Sequence, residues 1–357
     1  MDFVYKFPVV KGMQAGNEYY IAMVPLKMLS KLFVNNDEYV SPEYRAQRKL
    51  NESRIPVICK YILDNKNSYV FSALAASIDG NYVFIPEKNN SACGILEIDM
   101  DSKILINDGQ HRKTAIIEAL KESPELGEET ISIVFYGDYG LQRSQQIFTD
   151  LNKNAVKTSN SISELYDSRD EFAVLNRSVI KEIEFIDMYT DKEKDILGKY
   201  SSNLFTLNVF YIANKAIIGK KPDSKSYDFL INYWRLVTDN MVQWKDLQDR
   251  NITKKDLRES YISTRSVVIQ ALGKVGNYFY THKDVSMEDY IPKIKNINWN
   301  RNSKEWYMRA INTNGRIITN QKAVSLISNY IKVSIGIELS SDEKYEEDIL
   351  RKQTVKE

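Results

Sequence analysis

A carboxylate, an amide, an imidazole and a guanidinium stand within five consecutive residues, Asp108-Gly109-Gln110-His111-Arg112, and Lys113 follows them. A carboxylate can hold a metal or position water. An imidazole, with an unperturbed pKa of ~6.5, suits general-base work. A guanidinium neutralises phosphate charge. The chemistry of this set is therefore chemistry on a phosphate, either gripping it or hydrolysing it. Only two histidines occur in the chain, and one of them is here. Asp108, Gln110, His111 and Arg112 are the candidate catalytic residues. Gly109, Gln110, Arg112 and Lys113 are the candidate phosphate or nucleotide contacts.

Such residues need an element that aims them. Residues 104–106 read as a short buried strand and Gly109 as a sharp turn. Residues 113–120 read as an amphipathic helix, with Arg112, Ile116, Ala119 and Leu120 on one face. The set thus sits where a strand ends and a helix begins. Unpaired N–H groups at a helix start bind anions. The same residues also read as an ordinary capped helix start, with Arg112 paired to a core carboxylate. Spacing alone leaves both readings open.

Asp108-Gly109-Gln110-His111-Arg112 is the signature that names the DGQHR-domain family, and other stretches resemble that family too. Phe7-Pro8 with Gly16-Asn17-Glu18-Tyr19-Tyr20 resembles its opening. Arg45-Ala46-Gln47-Arg48-Lys49-Leu50-Asn51 and Arg54-Ile55-Pro56 resemble its first long helical region. Tyr69-Val70-Phe71-Ser72-Ala73-Leu74, Ala76-Ser77-Ile78-Asp79-Gly80 and Phe148-Thr149-Asp150-Leu151-Asn152-Lys153 extend the match. Together they resemble the DndB family of the Dnd systems, which replace a backbone oxygen of DNA with sulfur. The resemblance is dense before Arg169 and sparser after it. It implies a transcriptional repressor of its own modification genes rather than the sulfur-transfer catalyst. The implied partners are double-stranded promoter DNA and other Dnd modification proteins, and a homodimer would suit a palindromic operator. The strand–turn–helix junction resembles the phosphate-binding turn of the ParB/sulfiredoxin-like fold, an analogy at the level of fold alone. The alternative is a nucleotide hydrolase or metal-dependent DNA nickase centred on the signature, with ATP and Mg2+ as cofactors. The Gly-Lys-Ser/Thr loop of P-loop enzymes does not occur.

The 357 residues suggest one large or two ordinary domains, and 43% apolar residues suffice for real cores. A net charge of +1 means that any nucleic-acid surface is a local patch. Cys59 and Cys93 have no spacing partner for zinc or an iron–sulfur cluster, and no disulfide or catalytic thiol is expected. No apolar run approaches ~18 residues and no signal peptide opens the chain, so a cytoplasmic protein without a membrane partner is expected.

Along the chain, residues 3–10 and 19–24 read as strands around a turn at 12–17, followed by a helix at 25–33. A basic stretch then offers Arg45, Arg48, Lys49 and Arg54 to phosphates, and residues 55–63 continue as helix with Asn51 as N-cap. Residues 69–78 and 82–85 read as one hairpin, and 95–100 and 103–106 as a second. Glu97, Asp99 and Asp101 then share a sheet face, where they read chiefly as solvated. A strand at 131–136 and a helix at 141–151 lead to a polar loop in which Asn152 and Lys153 are further candidate phosphate contacts. From residue 170 four long helical patterns follow, at 170–186, 206–218, 226–242 and 260–280. The expected class is α+β: residues 1–168 a mixed sheet with helices, 169–339 mainly helical, 340–357 a charged, frayed tail. Residues 299–322 form the best basic patch, with Arg301, Lys304, Arg309 and Arg316 among Trp299, Trp306 and several asparagines, a mixture suited to phosphate and base contacts.

Overall fold

A computed structural model describes residues 3–33, 51–137, 146–147, 149–151, 158–219 and 221–354. Arg45, Arg48, Lys49, Asn152 and Lys153 lie outside the described residues. The chain divides into two compact units, Met1–Val156 and Lys157–Glu357. This boundary falls before the expected one because a helix at Asn160–Tyr166 (α4) packs with the helices after it.

The first unit is mixed α/β. Its strands are β1 (Val4–Gln14), β2 (Asn17–Pro25), β3 (Leu74–Asp79), β4 (Tyr82–Glu87), β5 (Asn90–Asp99), β6 (Lys103–Asp108) and β7 (Thr130–Gly137). β1 and β2 form a hairpin closed by Ala15 and Gly16, both at positive φ, and this turn type matches the twist of its strands. The sheet order is β4-β5-β1-β2-β7-β3-β6.

Neither of the two later hairpins expected from the sequence forms. β4 pairs with β5, while β3 pairs with β6 and, in parallel, with β7. Asp79-Gly80-Asn81 is therefore a corner in one long two-stranded ribbon, not a hairpin turn. Gly80, at φ +143, permits that corner, where an added Cβ would lie 2.4 Å from Ser102 Oγ. Across the corner the ribbon stays bonded, with Asp99 N–H and Ser102 Oγ–H both donating to Asn81 O. β3 and β4 stand five strands apart in the sheet order, which in a flat sheet is about 24 Å. The chain from Asp79 to Tyr82 reaches at most about 11 Å. The sheet therefore curls, bringing its two ends together around a core that includes Phe7, Leu96, Ile98, Ile106, Ile133 and Phe135.

Helices cover this sheet. The helical segment expected at 25–33 is a 3-10 turn at Leu26–Met28 followed by α1 (Leu29–Leu32). α2 (Ile55–Asp64) packs on α3 (Gln110–Glu122). The buried residues of α3 are Lys113, Ala115, Ile116 and Ala119, a face turned slightly from the one expected.

The second unit is almost wholly helical. It comprises α4, α5 (Glu171–Lys181), α6 (Glu184–Tyr189), α7 (Leu207–Ile218), α8 (Ser226–Asn240), α9 (Val242–Gln248), α10 (Lys254–Ser260), α11 (Ser266–Thr281), α12 (Met287–Tyr290), α13 (Gln321–Ile335) and α14 (Ser341–Thr354). Three of the four long helical patterns break, at residues 182–183, 241 and 261–265. Trp234, Trp244, Trp299 and Trp306 anchor its core. The tail expected to fray is instead α14, docked by the buried Leu350 and by Glu347 and Glu343, which pair with Arg309 and Lys332. Among the described residues no helix is long and apolar enough to cross a membrane.

One buried carboxyl in this unit carries a prediction. Glu164 of α4 is 9% exposed and its Oε2 has no hydrogen-bond partner among the described residues. Burial, followed by Asp195 and Asp170, pushes its pKa up to about 8. The folded state thus holds a proton that the unfolded chain releases near the ordinary carboxyl value. That stabilising protonation is complete in acid and is lost progressively as pH rises from about 4.5 to about 8. Glu164→Gln is expected to stabilise the protein by roughly 1–3 kcal/mol at pH 8 and to change little at pH 4.5. Denaturant melts at the two pH values check this; parallel wild-type and variant profiles would count against it.

Candidate functional site

The signature is built on a strand irregularity. Ala75 pairs with Asp108 and Ala76 with Ile106, so Asn107 is an extra residue in β6, a β-bulge. Bulges re-aim side chains and are common beside functional sites. This one buries Asn107, whose Oδ1 accepts from Ser77 Oγ–H at 2.7 Å. Gly109 then takes φ +102, a left-handed conformation that side chains resist, and starts α3. Its own position is crowded, since an added Cβ would lie 2.3 Å from Leu74 Cδ2. The helix begins three residues before the expected 113, with Gln110, His111 and Arg112 as its first turn.

Asp108 and Arg112 face each other across that first turn at 2.7 Å. The arginine's other donors reach the chain before β3, to Ser72 O at 2.6 Å, Ala73 O at 3.1 Å and Ser72 Oγ. Arg112 is therefore a strut that ties the helix start to residues 72–73. It is not a cation held out for a ligand, and its partner is an adjacent signature carboxylate rather than a core one. Asp108 is about half exposed. Arg112→Lys is expected to cost about 2 kcal/mol, because a lysine ammonium cannot span these acceptors in one plane. A thermal melt checks this; an unchanged midpoint would mean that the strut bears no weight.

His111 Nε2 accepts the backbone N–H of Asn51 at 3.1 Å. That nitrogen is occupied as an acceptor, so it holds the chain entering α2 against the signature. Asn51 also caps that entry, accepting from Ser53 N–H at 3.2 Å. The exposed Arg54 follows three residues later. Lys113 is buried, and its ammonium pKa is pushed down by desolvation, so it is not a surface phosphate contact. Gln110 is half-buried at the helix start. The structure thus brings Asp108, Gly109, Gln110, His111, Arg112 and the turn of Arg54 into one neighbourhood. Ser72, Ser77, Asn51 and Asn107 also belong to it. Sequence reading saw Asn51 only as a cap and missed the others, since no local pattern marks a contact across sixty residues.

The second basic patch is rearranged more severely. Arg309 is not a DNA contact: it is 9% exposed, with both Nη atoms 2.6 Å from the Glu347 carboxylate and Nη1 also donating to Leu326 O. Trp299 and Trp306 are not surface stacking platforms. They stack on each other at 5.4 Å inside the core, with their indole N–H groups on Ile294 O and Asn298 O. Lys304 and Arg316 remain exposed, and Arg301 is half-buried, bonded to Glu259 O and Gly315 O.

Glu97 pairs with Lys6 at 2.6 Å, and Asp99 caps Asp101 N–H. Among the described residues no group of three or more acidic, histidine or cysteine side chains is arranged to hold a metal. Cys59 is buried and Cys93 lies on β5; neither forms a disulfide.

Among curated proteins and among solved structures nothing matches the chain. The family model described as DndB, DNA-sulfur modification-associated, matches residues 7–338, nearly the whole chain. With the intact signature at its helix junction, the chain belongs to the DndB family and is a component associated with DNA sulfur modification.

Proposed function

We propose that this DndB-family chain is a DNA-binding regulator, a transcriptional repressor of the gene cluster that places phosphorothioates in DNA. The observation that carries this reading is the internal tie of the signature. Arg112 is committed to Asp108, Ser72 and Ala73, and His111 Nε2 to a backbone N–H. A hydrolase would turn these groups toward a reacting phosphate. Here they hold a helix start, the element that presents N–H groups to an anion. The signature thus supports binding, in the manner of the phosphate turn of ParB/sulfiredoxin-like folds.

DNA phosphates would be gripped by Arg54 beside the signature, by Arg301, Lys304 and Arg316 of the helical unit, and by Arg45, Arg48, Lys49, Asn152 and Lys153. A homodimer would read a palindromic operator, and other Dnd proteins are the natural partners of such a regulator.

The test is a titration of purified protein with the promoter region of the neighbouring modification genes and with a scrambled duplex. It is run at two salt concentrations, with and without ATP and magnesium. Promoter-selective binding that weakens with salt and consumes no ATP is expected. Equal affinity for both duplexes, with magnesium-dependent ATP loss or nicking, would overturn the regulator and leave the hydrolase or nickase.

A further inference from the structure

Three arginines of the helical unit converge without a counter-charge. Arg258 lies in the last turn of α10, Arg265 precedes α11, and Arg301 lies on the segment that pairs with residues 260–262. Arg258 donates to Gly198 O, Lys199 O and Ser201 O. Arg265 donates to Arg258 O. Arg301 donates to Glu259 O and Gly315 O. All of these acceptors are backbone carbonyls, and Glu259 takes part through its carbonyl rather than its carboxylate. Among the described residues none of the three guanidiniums has an ion-pair partner.

This arrangement is costly as it stands. Burial, then Arg301, then Arg258 all act against the charge of Arg265. Its Nε is buried with no hydrogen-bond partner among the described residues. Two residues earlier the fully buried Ser263 has an equally unpartnered hydroxyl. α11, a sixteen-residue helix, begins at this same turn without a side-chain cap. Like charges, orphaned donors and an uncapped helix start are offset together by one kind of group, an oxyanion. The planar guanidinium fork matches phosphate oxygens in particular.

We infer that Arg258, Arg265 and Arg301 form an oxyanion site, and that its ligand is a phosphodiester of the DNA backbone. The choice of a polyanion comes from the flanks. Arg258 holds the loop bearing the exposed Lys199, and Arg301 holds the turn that ends in the exposed Arg316. Exposed cations thus stand on the segments that two of the three arginines hold, more than a single small anion uses. Arg258 and Arg265 had no part in the basic patch legible in the sequence. This site rests on the DNA-binding reading for its ligand, but not for its oxyanion chemistry.

The experiment uses the full chain and the variant Arg265→Gln, with Arg235→Gln, an exposed change on α8, as control. DNA affinity is measured against salt, and melting temperature is measured in sodium phosphate and in sodium chloride at equal ionic strength. Arg265→Gln is expected to weaken DNA binding about tenfold and to flatten the salt slope by about one phosphate contact. It should also lose the extra stabilisation that phosphate gives the wild type; general salt effects are common to both proteins. If Arg265→Gln does not fold, Arg265→Lys replaces it; it keeps the charge but loses the fork, and should fall between the two. Wild-type DNA binding that the variant leaves unchanged would overturn the inference. If the wild type binds no duplex but is stabilised by phosphate through Arg265, the oxyanion site stands with a free phosphate as its ligand, and the DNA-binding reading falls. If neither response appears in the wild type, the site is overturned as well.

Discussion

Glu347→Ala is expected to destabilise the helical unit by about 3–5 kcal/mol, because it strands a buried guanidinium. Arg309 and Glu347 meet in a two-pronged pair with side chains only 10% and 12% exposed. Their own attraction barely exceeds the cost of taking both charges out of water. Removing one partner, however, leaves the other charge buried with, among the described residues, only Leu326 O and Glu305 O to accept its donors. The double change Arg309→Met with Glu347→Leu should therefore recover most of the loss, since both charges disappear together. Chemical denaturation of the three variants decides this. A single variant as stable as the wild type would show that α14 is not docked through this pair.

Gly109→Val is the second large effect. The residue carries φ +102, which costs a branched side chain about 1–3 kcal/mol. In addition, its Cβ would meet Leu74 Cδ2 at 2.3 Å, and Leu74 is fully buried in β3 between β6 and β7. Neither the helix start nor the strand can give way without breaking the Arg112 strut. A loss of roughly 3–5 kcal/mol is expected from strain and overpacking together. The variant should lose whatever function the signature has even where it still folds. Leu74→Ala in the same chain is the informative companion. It opens space for the Cβ but leaves the φ strain, so partial rescue would separate the two causes.

Much of the signature's frame was legible. A short apolar run before Gly109 and an apolar period after it marked a strand–turn–helix junction, and that is what forms. The helical half was legible for the same reason, as periodic apolar faces in Leu207–Ile218 and Ser226–Asn240. Partnership was not legible. Asp79-Gly80-Asn81 carries the composition of a hairpin turn, and only the pairing of β3 with β6 and β7 reveals a corner. Arg309 looked like its neighbours Lys304 and Arg316 because charge in a sequence says nothing of burial. Its carboxylate stands thirty-eight residues away, in a segment whose alternating charges suggested fraying. Arg258 and Arg265 escaped notice because three cations drawn from separate segments make no run.

The curled sheet sets an order of assembly during synthesis. β1 pairs with β5, and β2 with β7, so the β1–β2 hairpin has no edge to join for some seventy residues of further synthesis. β3, which carries the contacts beneath Gly109, gains its parallel neighbour only when Thr130–Gly137 emerges, after the whole of α3. At ~5–20 residues per second, the signature helix is exposed for about a second or more before the sheet it covers is complete. Long-range pairing of this kind folds slowly. During vectorial growth the nascent chain therefore shows an unpaired, apolar β3 edge, and this is where a chaperone would be needed first.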